Sequence, residues 1–172
     1  MRIAWPLRIA LAVVWLGAAD IASAQTGGCV LADDRHGPDR VLRCGVGLTI
    51  HATAEAQYRL TGEQGRKTPT GVELESGAVM IEFVPSCARK NFQILTPHAI
   101  AAVRGTRWAV DVTSDETATL VNSGAVEVRR WQSAESATLH AGEGADVSFG
   151  TGPVEVKRWK QERVRALLAR VS

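Results

Sequence analysis

Apolar residues recur at every second position in one short run after another of this chain, and Gly, Pro, Asn, Ser or Asp closes each run. Leu48, Ile50 and Ala52 alternate with Thr49, His51 and Thr53. Val79, Ile81 and Phe83 alternate with Met80 and Glu82. Trp108, Val110 and Val112 alternate with Ala109, Asp111 and Thr113, and Val126 and Val128 with Glu127 and Arg129. Phe92–Ile94 and Val147–Phe149 repeat the pattern in brief. A period of two sends one set of side chains to one face of an extended strand, so these runs demand half-buried β-strands. Turn signals such as Pro85-Ser86, Thr113-Ser114-Asp115 and Gly142-Glu143-Gly144 fall at intervals that suit short strands. The pattern predicts a mainly β fold of short antiparallel strands.

A weak internal repeat bears on how the strands assemble. Ser76-Gly77-Ala78-Val79 reappears as Ser123-Gly124-Ala125-Val126, each copy followed by an alternating strand. Repetition of this kind suggests stacked β layers, as in a solenoid or a folded-over sheet. A plain β-sandwich is the alternative. The period changes at the end of the chain. After Trp159, Val164, Leu167, Leu168 and Val171 fall at i, i+3, i+4 and i+7, with Arg163, Arg165 and Arg170 elsewhere. That spacing predicts a short amphipathic helix, expected to cap an open end of the β core. A basic helix that docks a partner or a membrane surface is the sharper reading.

The 172 residues suffice for one domain with a real core, and the net charge is only +2 with both signs interspersed. No basic cluster marks a nucleic-acid binder. The first residues carry two Arg within Met1–Arg8, an uncharged apolar run over 9–19, and Ala22-Ser23-Ala24. This is the pattern of a Sec-type signal peptide, with cleavage expected after Ala24 and export to the periplasm. The apolar run is about half the roughly 20 residues that a spanning helix needs, so no transmembrane segment is expected after cleavage. The expected organisation is a signal peptide over 1–24, a hairpin over 25–47, a β domain over 48–150, and a closing strand and helix over 151–172.

Export gives the three cysteines meaning. Cys29 and Cys44 flank a polar, turn-rich stretch, and Cys87 stands apart. In an oxidising compartment the pair across a hairpin is the natural bond, leaving Cys87 as a free thiol. Chemistry is otherwise missing. His36, His51, His98 and His140 are scattered, Asp33, Asp34 and Asp39 read as solvated turn carboxylates, and no phosphate loop or nucleophile motif occurs. No metal, no cofactor and no enzymatic activity are expected. The two classes left are an interaction or sensory module of the envelope and a structural or polysaccharide-binding envelope protein. An exposed apolar patch near Trp108, Trp131 or Trp159 would favour the first.

One stretch is more specific. FQILTPHAIAAVRGTRWAVDVTSDETATLVNSGAVEVRR contains Thr96-Pro97, Val103-Arg104-Gly105-Thr106, a strand from Trp108, and Gly124-Ala125-Val126-Glu127-Val128. In this order the elements resemble the FecR periplasmic domain family, over roughly residues 45–150. The resemblance implies a β domain of the bacterial envelope. It also implies a regulator linked to a TonB-dependent receptor and a sigma factor, although a cleaved signal leaves little of the chain to reach the cytoplasm.

Read from the residues, the motif is mainly structural. Pro97 ends hydrogen bonding along one strand edge. Gly105 can take a positive φ so that the strand turns a corner. Arg104 has five donors with which to bond loop carbonyls, and Thr106 can bond back to the turn. Gly124 and Val126 belong to the strand that follows. Arg104, His98 and Trp108 are the candidate partner contacts.

Overall fold

The computed structural model describes residues 28–32, 40–62, 68–86, 91–131, 133 and 135–171. The signal segment over 1–24, His36, the carboxylates Asp33, Asp34 and Asp39, and Cys87 lie outside the described residues. Among the described residues the strands are β1 (Val30–Ala32), β2 (Arg40–Arg43), β3 (Leu48–Ala52), β4 (Gln57–Thr61), β5 (Gly71–Phe83), β6 (Phe92–Leu95), β7 (Ala99–Val103), β8 (Thr106–Val112), β9 (Glu116–Ser123), β10 (Ala125–Arg130), β11 (Ser136–His140), β12 (Glu143–Ser148) and β13 (Lys157–Arg158). One helix, α1 (Gln161–Val171), follows.

The longest strand organises the molecule. The first half of β5, up to Ser76, pairs with β4 and β6. From Gly77 onward β5 pairs instead with β3 and β8. One layer is then β4, the start of β5, β6, β7, β10 and β11. The other is β1, β2, β3, the end of β5, β8, β9, β12 and β13. The result is one hydrogen-bonded sheet folded over on itself. The pairing is antiparallel except between β5 and β6, whose Gly71–Glu73 and Gln93–Leu95 run parallel.

The internal repeat marks these corners. Gly77 (φ 82°) stands where β5 leaves one layer for the other, and Gly124 (φ 84°) stands where the chain crosses back between β9 and β10. Gly105 (φ 92°) and Gly142 (φ 82°) make two more crossings, β7 to β8 and β11 to β12. The repeat therefore reports a way of turning a corner and not a coil repeated along an axis.

The alternating residues fill the space between the layers. Ile50, Leu74, Ile81, Ile94, Trp108, Val110, Val126, Val128 and Leu139 are fully or almost fully buried in one cluster. A second, smaller cluster lies on the outer face of the second layer. There Ala78, Met80, Ala109, Ala118 and Leu120 are covered by Trp159, Leu167 and Val171, with Val164 and Leu168 packed alongside. The helix expected to cap an open end of the core thus lies flat on the back of the sheet. The reason is visible in the strands: Met80 and Ala109 occupy the face that alternation assigns to solvent, yet they are apolar and need a cover.

Candidate functional site

The Arg104-Gly105-Thr106 corner divides its work among its residues. A Cβ on Gly105 would lie 2.8 Å from the Pro85 ring, at a φ that side chains rarely adopt. The Thr106 hydroxyl donates to the Ala125 carbonyl at 2.9 Å, tying this corner to the next. Gly124 is required by the same closeness, since its Cβ would meet Gly105 O at 2.6 Å and Thr106 Oγ1 at 2.9 Å. Val103 and Val126 pair across β7 and β10 and are both buried. Arg104 takes no part in this lock. It is exposed, and among the described residues its guanidinium makes no hydrogen bond or ion pair. The expectation that its donors hold loop carbonyls is corrected: the backbone φ of Gly105 and the hydroxyl of Thr106 hold the corner instead.

An open groove of about 450 Å³ runs beside this corner, lined by Glu82, Phe83, Val84, Pro85, Gly105, Thr106, Arg107 and Ser123. Arg107 pairs with Glu82 at 3.0 Å. Val84 is 65% exposed, and its N–H donates to the Gly47 carbonyl at 2.7 Å, next to Val46, which is 86% exposed. This end of the molecule therefore presents two exposed valines, a proline and a guanidinium unpaired among the described residues.

The Thr96-Pro97 end is different. Thr96 closes the β6–β7 turn, its hydroxyl donating to the Ala99 carbonyl at 2.9 Å and accepting from the Ala99 N–H at 3.0 Å. Pro97 is exposed in that turn. His98 and Trp108, expected as partner contacts, are buried instead, at 2% and 0% exposure. His98 turns inward because Thr117 of β9 offers a hydroxyl 3.0 Å from its Nδ1. Trp108 is an inward-facing core residue, edge-on to Phe92. Trp131 and Phe149 are the exposed rings here, at 47% and 66%. The Trp131 indole donates to the Thr96 carbonyl at 2.5 Å, and Phe149 sits 4.3 Å from the His98 ring.

Acidic side chains rim the helix platform. Asp146 receives both arms of Arg163, at 2.6 and 2.8 Å. Asp111 receives Arg170 at 2.5 Å, and Glu55 receives the same guanidinium at 3.4 Å. The bond to Asp146 raises the Arg163 pKa above its ordinary value, against the opposing effect of burial. The Glu55 carboxyl is held below its usual range first by a backbone hydrogen bond, then by the Thr53 side chain and Arg170. Trp159 is buried with its ring against Gly144 and under the Arg163 guanidinium, 3.6 Å from the ring centroid.

At the other edge Cys29 and Cys44 are joined in a disulfide. No group of three or more His, Cys, Asp or Glu able to hold a metal ion occurs among the described residues. No helix among them is long and apolar enough to cross a membrane.

Two solved structures share this fold. One is a crystal structure of a protein provisionally assigned as an anti-sigma factor from Parabacteroides distasonis ATCC 8503. It is 21% identical, with a TM-score of 0.62 over 81% of this chain and 63% of that one. The second carries the same description and organism, at 20% identity, a TM-score of 0.59, and coverage of 76% and 60%. This chain thus spans about three-fifths of the length of the solved structures it matches. No curated protein matches. The model of the FecR protein family matches residues 41–127, just over half of the 172 residues, and takes in both the Thr-Pro turn and the Arg-Gly-Thr corner. The chain belongs to the FecR family.

Proposed function

We propose that this chain is a non-enzymatic, periplasmic FecR-domain protein that acts as an interaction or sensory module of the envelope. Family membership supports a regulatory role, and the description of the structural neighbours as anti-sigma factors points the same way. The disulfide is the kind of bond that persists in an oxidising compartment. The observation that carries the reading is Arg104. A surface guanidinium with no partner among the described residues, beside an open groove and two exposed valines, is a group placed to meet a carboxylate on another molecule. We assign the partner contact to Arg104 with Val46, Val84 and Pro85. His98 and Trp108 have no surface to offer one.

The test is crosslinking in intact cells followed by capture of the chain and identification of what is bound. Wild type should bring down an envelope protein, and Arg104→Glu should lose it while remaining folded. Equal capture by both would remove Arg104 from the interface. Capture of a TonB-dependent receptor would tie the module to the signalling that the family resemblance implies. Retention on envelope polysaccharide, unaffected by Arg104→Glu, would favour the structural or polysaccharide-binding alternative.

A further inference from the structure

The buried His98 can be assigned a tautomer from its neighbours. The Thr96 hydroxyl donates to the Ala99 carbonyl, so its proton is committed. The Thr117 hydroxyl donates to Thr96 Oγ1 at 2.8 Å, so its proton is committed as well. Thr117 Oγ1, 3.0 Å from His98 Nδ1, can then only accept. The proton of the neutral ring therefore sits on Nδ1, and Nε2 is left with a bare lone pair. Nε2 is buried and has no hydrogen-bond partner among the described residues. Phe149 covers the ring from outside, at 4.3 Å between centroids.

Phe149 belongs to a strap that begins at the end of β12. The strap contains Gly150, at φ 132°, and Gly152. Arg130, 8% exposed at the end of β10, holds both sides of Phe149, donating to the carbonyls of Ser148 and Gly152, the latter at 3.0 Å. The strap is thus fastened at two places. One is a buried guanidinium on its backbone, and the other is an aromatic ring on a neutral imidazole.

We propose that protonation of His98 at Nε2 releases this strap, making the Thr-Pro end of the molecule a proton-operated latch. Among the described residues the new N–H would be a buried donor with no acceptor, and no carboxylate hydrogen bonds the ring to offset the new charge. On the elements packed around the ring the ionisable groups are Asp115 and Glu116 at the start of β9, Glu143 and Asp146 on β12, and Glu127, Arg129 and Arg130 on β10. Asp146 is taken by Arg163, and none of these carboxylates hydrogen bonds His98. Arg130 is the buried charge under the same strap, and it is positive. Two buried cations beneath one strap and no anion between them favour an open strap that lets water reach the imidazolium. Lifting Phe149 achieves this without disturbing the core.

The test is an NMR titration of the mature chain with the His98 ring and Phe149 assigned. At neutral pH the ring nitrogens should show Nδ1 protonated and Nε2 bare. As the pH falls, the Phe149 ring and the amides of Gly150 and Gly152 should shift with the same midpoint as the His98 ring. His98→Gln should abolish that coupled shift. An Nε2–H tautomer at neutral pH would overturn the assignment. Phe149 signals that stay still while His98 titrates, or that shift equally in His98→Gln, would overturn the latch. If His98→Gln does not fold, the tautomer and the shared midpoint are both read on the wild-type chain.

Discussion

At the scale of single residues Gly105, Gly124 and Thr106 lie inside the corner's close contacts and Arg104 lies outside them. Gly105→Val places a β-branched side chain at φ 92° against the Pro85 ring. Strain of that kind costs of order 1–3 kcal/mol, and chemical denaturation should show at least that loss. Thr106→Val removes the hydroxyl that bonds Ala125, and should cost about 1 kcal/mol by the same measurement. Gly105 was legible in the sequence because a positive φ explains a glycine between two alternating strands, whereas Gly124, read as part of the strand that follows, stands at the corner before β10. The burial of His98 was not. A polar residue in a turn reads as surface, and the hydroxyl that draws this one inward is 19 residues away in the chain. Asp111 hid its role for the same reason, since its partner Arg170 is 59 residues further on.

At the scale of elements the question is what holds α1 to the sheet. Its ion pairs join side chains that are nearly half exposed on the arginine side. Such pairs contribute roughly 0.2–1 kcal/mol each. The apolar stripe is stronger, since burying a Leu or Val side chain contributes about 1.5–3 kcal/mol. Leu167→Ala should therefore cost more than Arg163→Ala and Arg170→Ala combined, about 2–5 kcal/mol against about 2 or less. Thermal melts of the variants check the order. Gly144→Ala should loosen the helix from the other side, because its Cβ would lie 2.5 Å from the Trp159 ring. The drop should be visible as increased exposure of Trp159 to a fluorescence quencher.

The helix and its inward stripe were legible from spacing alone, but its seat was not. The apolar Met80 and Ala109 on the nominally polar side of two strands were the signal that a second layer lies there. One buried face already accounts for the alternation, so periodicity alone does not call for a second. The parallel pairing of β5 with β6 left no local trace, since pairing partners are set by contacts distant in sequence.

At the scale of the whole molecule, a folded-over FecR-family sheet carries a disulfide of the kind that persists in an oxidising compartment. N-terminal sequencing of the protein recovered from the periplasm should begin at Gln25. A start at Met1 in the membrane pellet would contradict export. Reducing the Cys29–Cys44 bond should lower stability by roughly 3 kcal/mol on the chain-entropy model for so short a loop, measured by denaturation with and without reductant. At the corner Gly105 and Thr106 make the contacts that turn the sheet, and Arg104 stands outside them, as a partner contact would. Arg104→Ala is to be compared with wild type for both unfolding free energy and crosslinked partner capture. Its stability should stay within about 0.5 kcal/mol of wild type, as for any unbonded surface residue, while the captured envelope protein is lost. A markedly destabilised variant that still captures its partner would contradict this placement of Arg104.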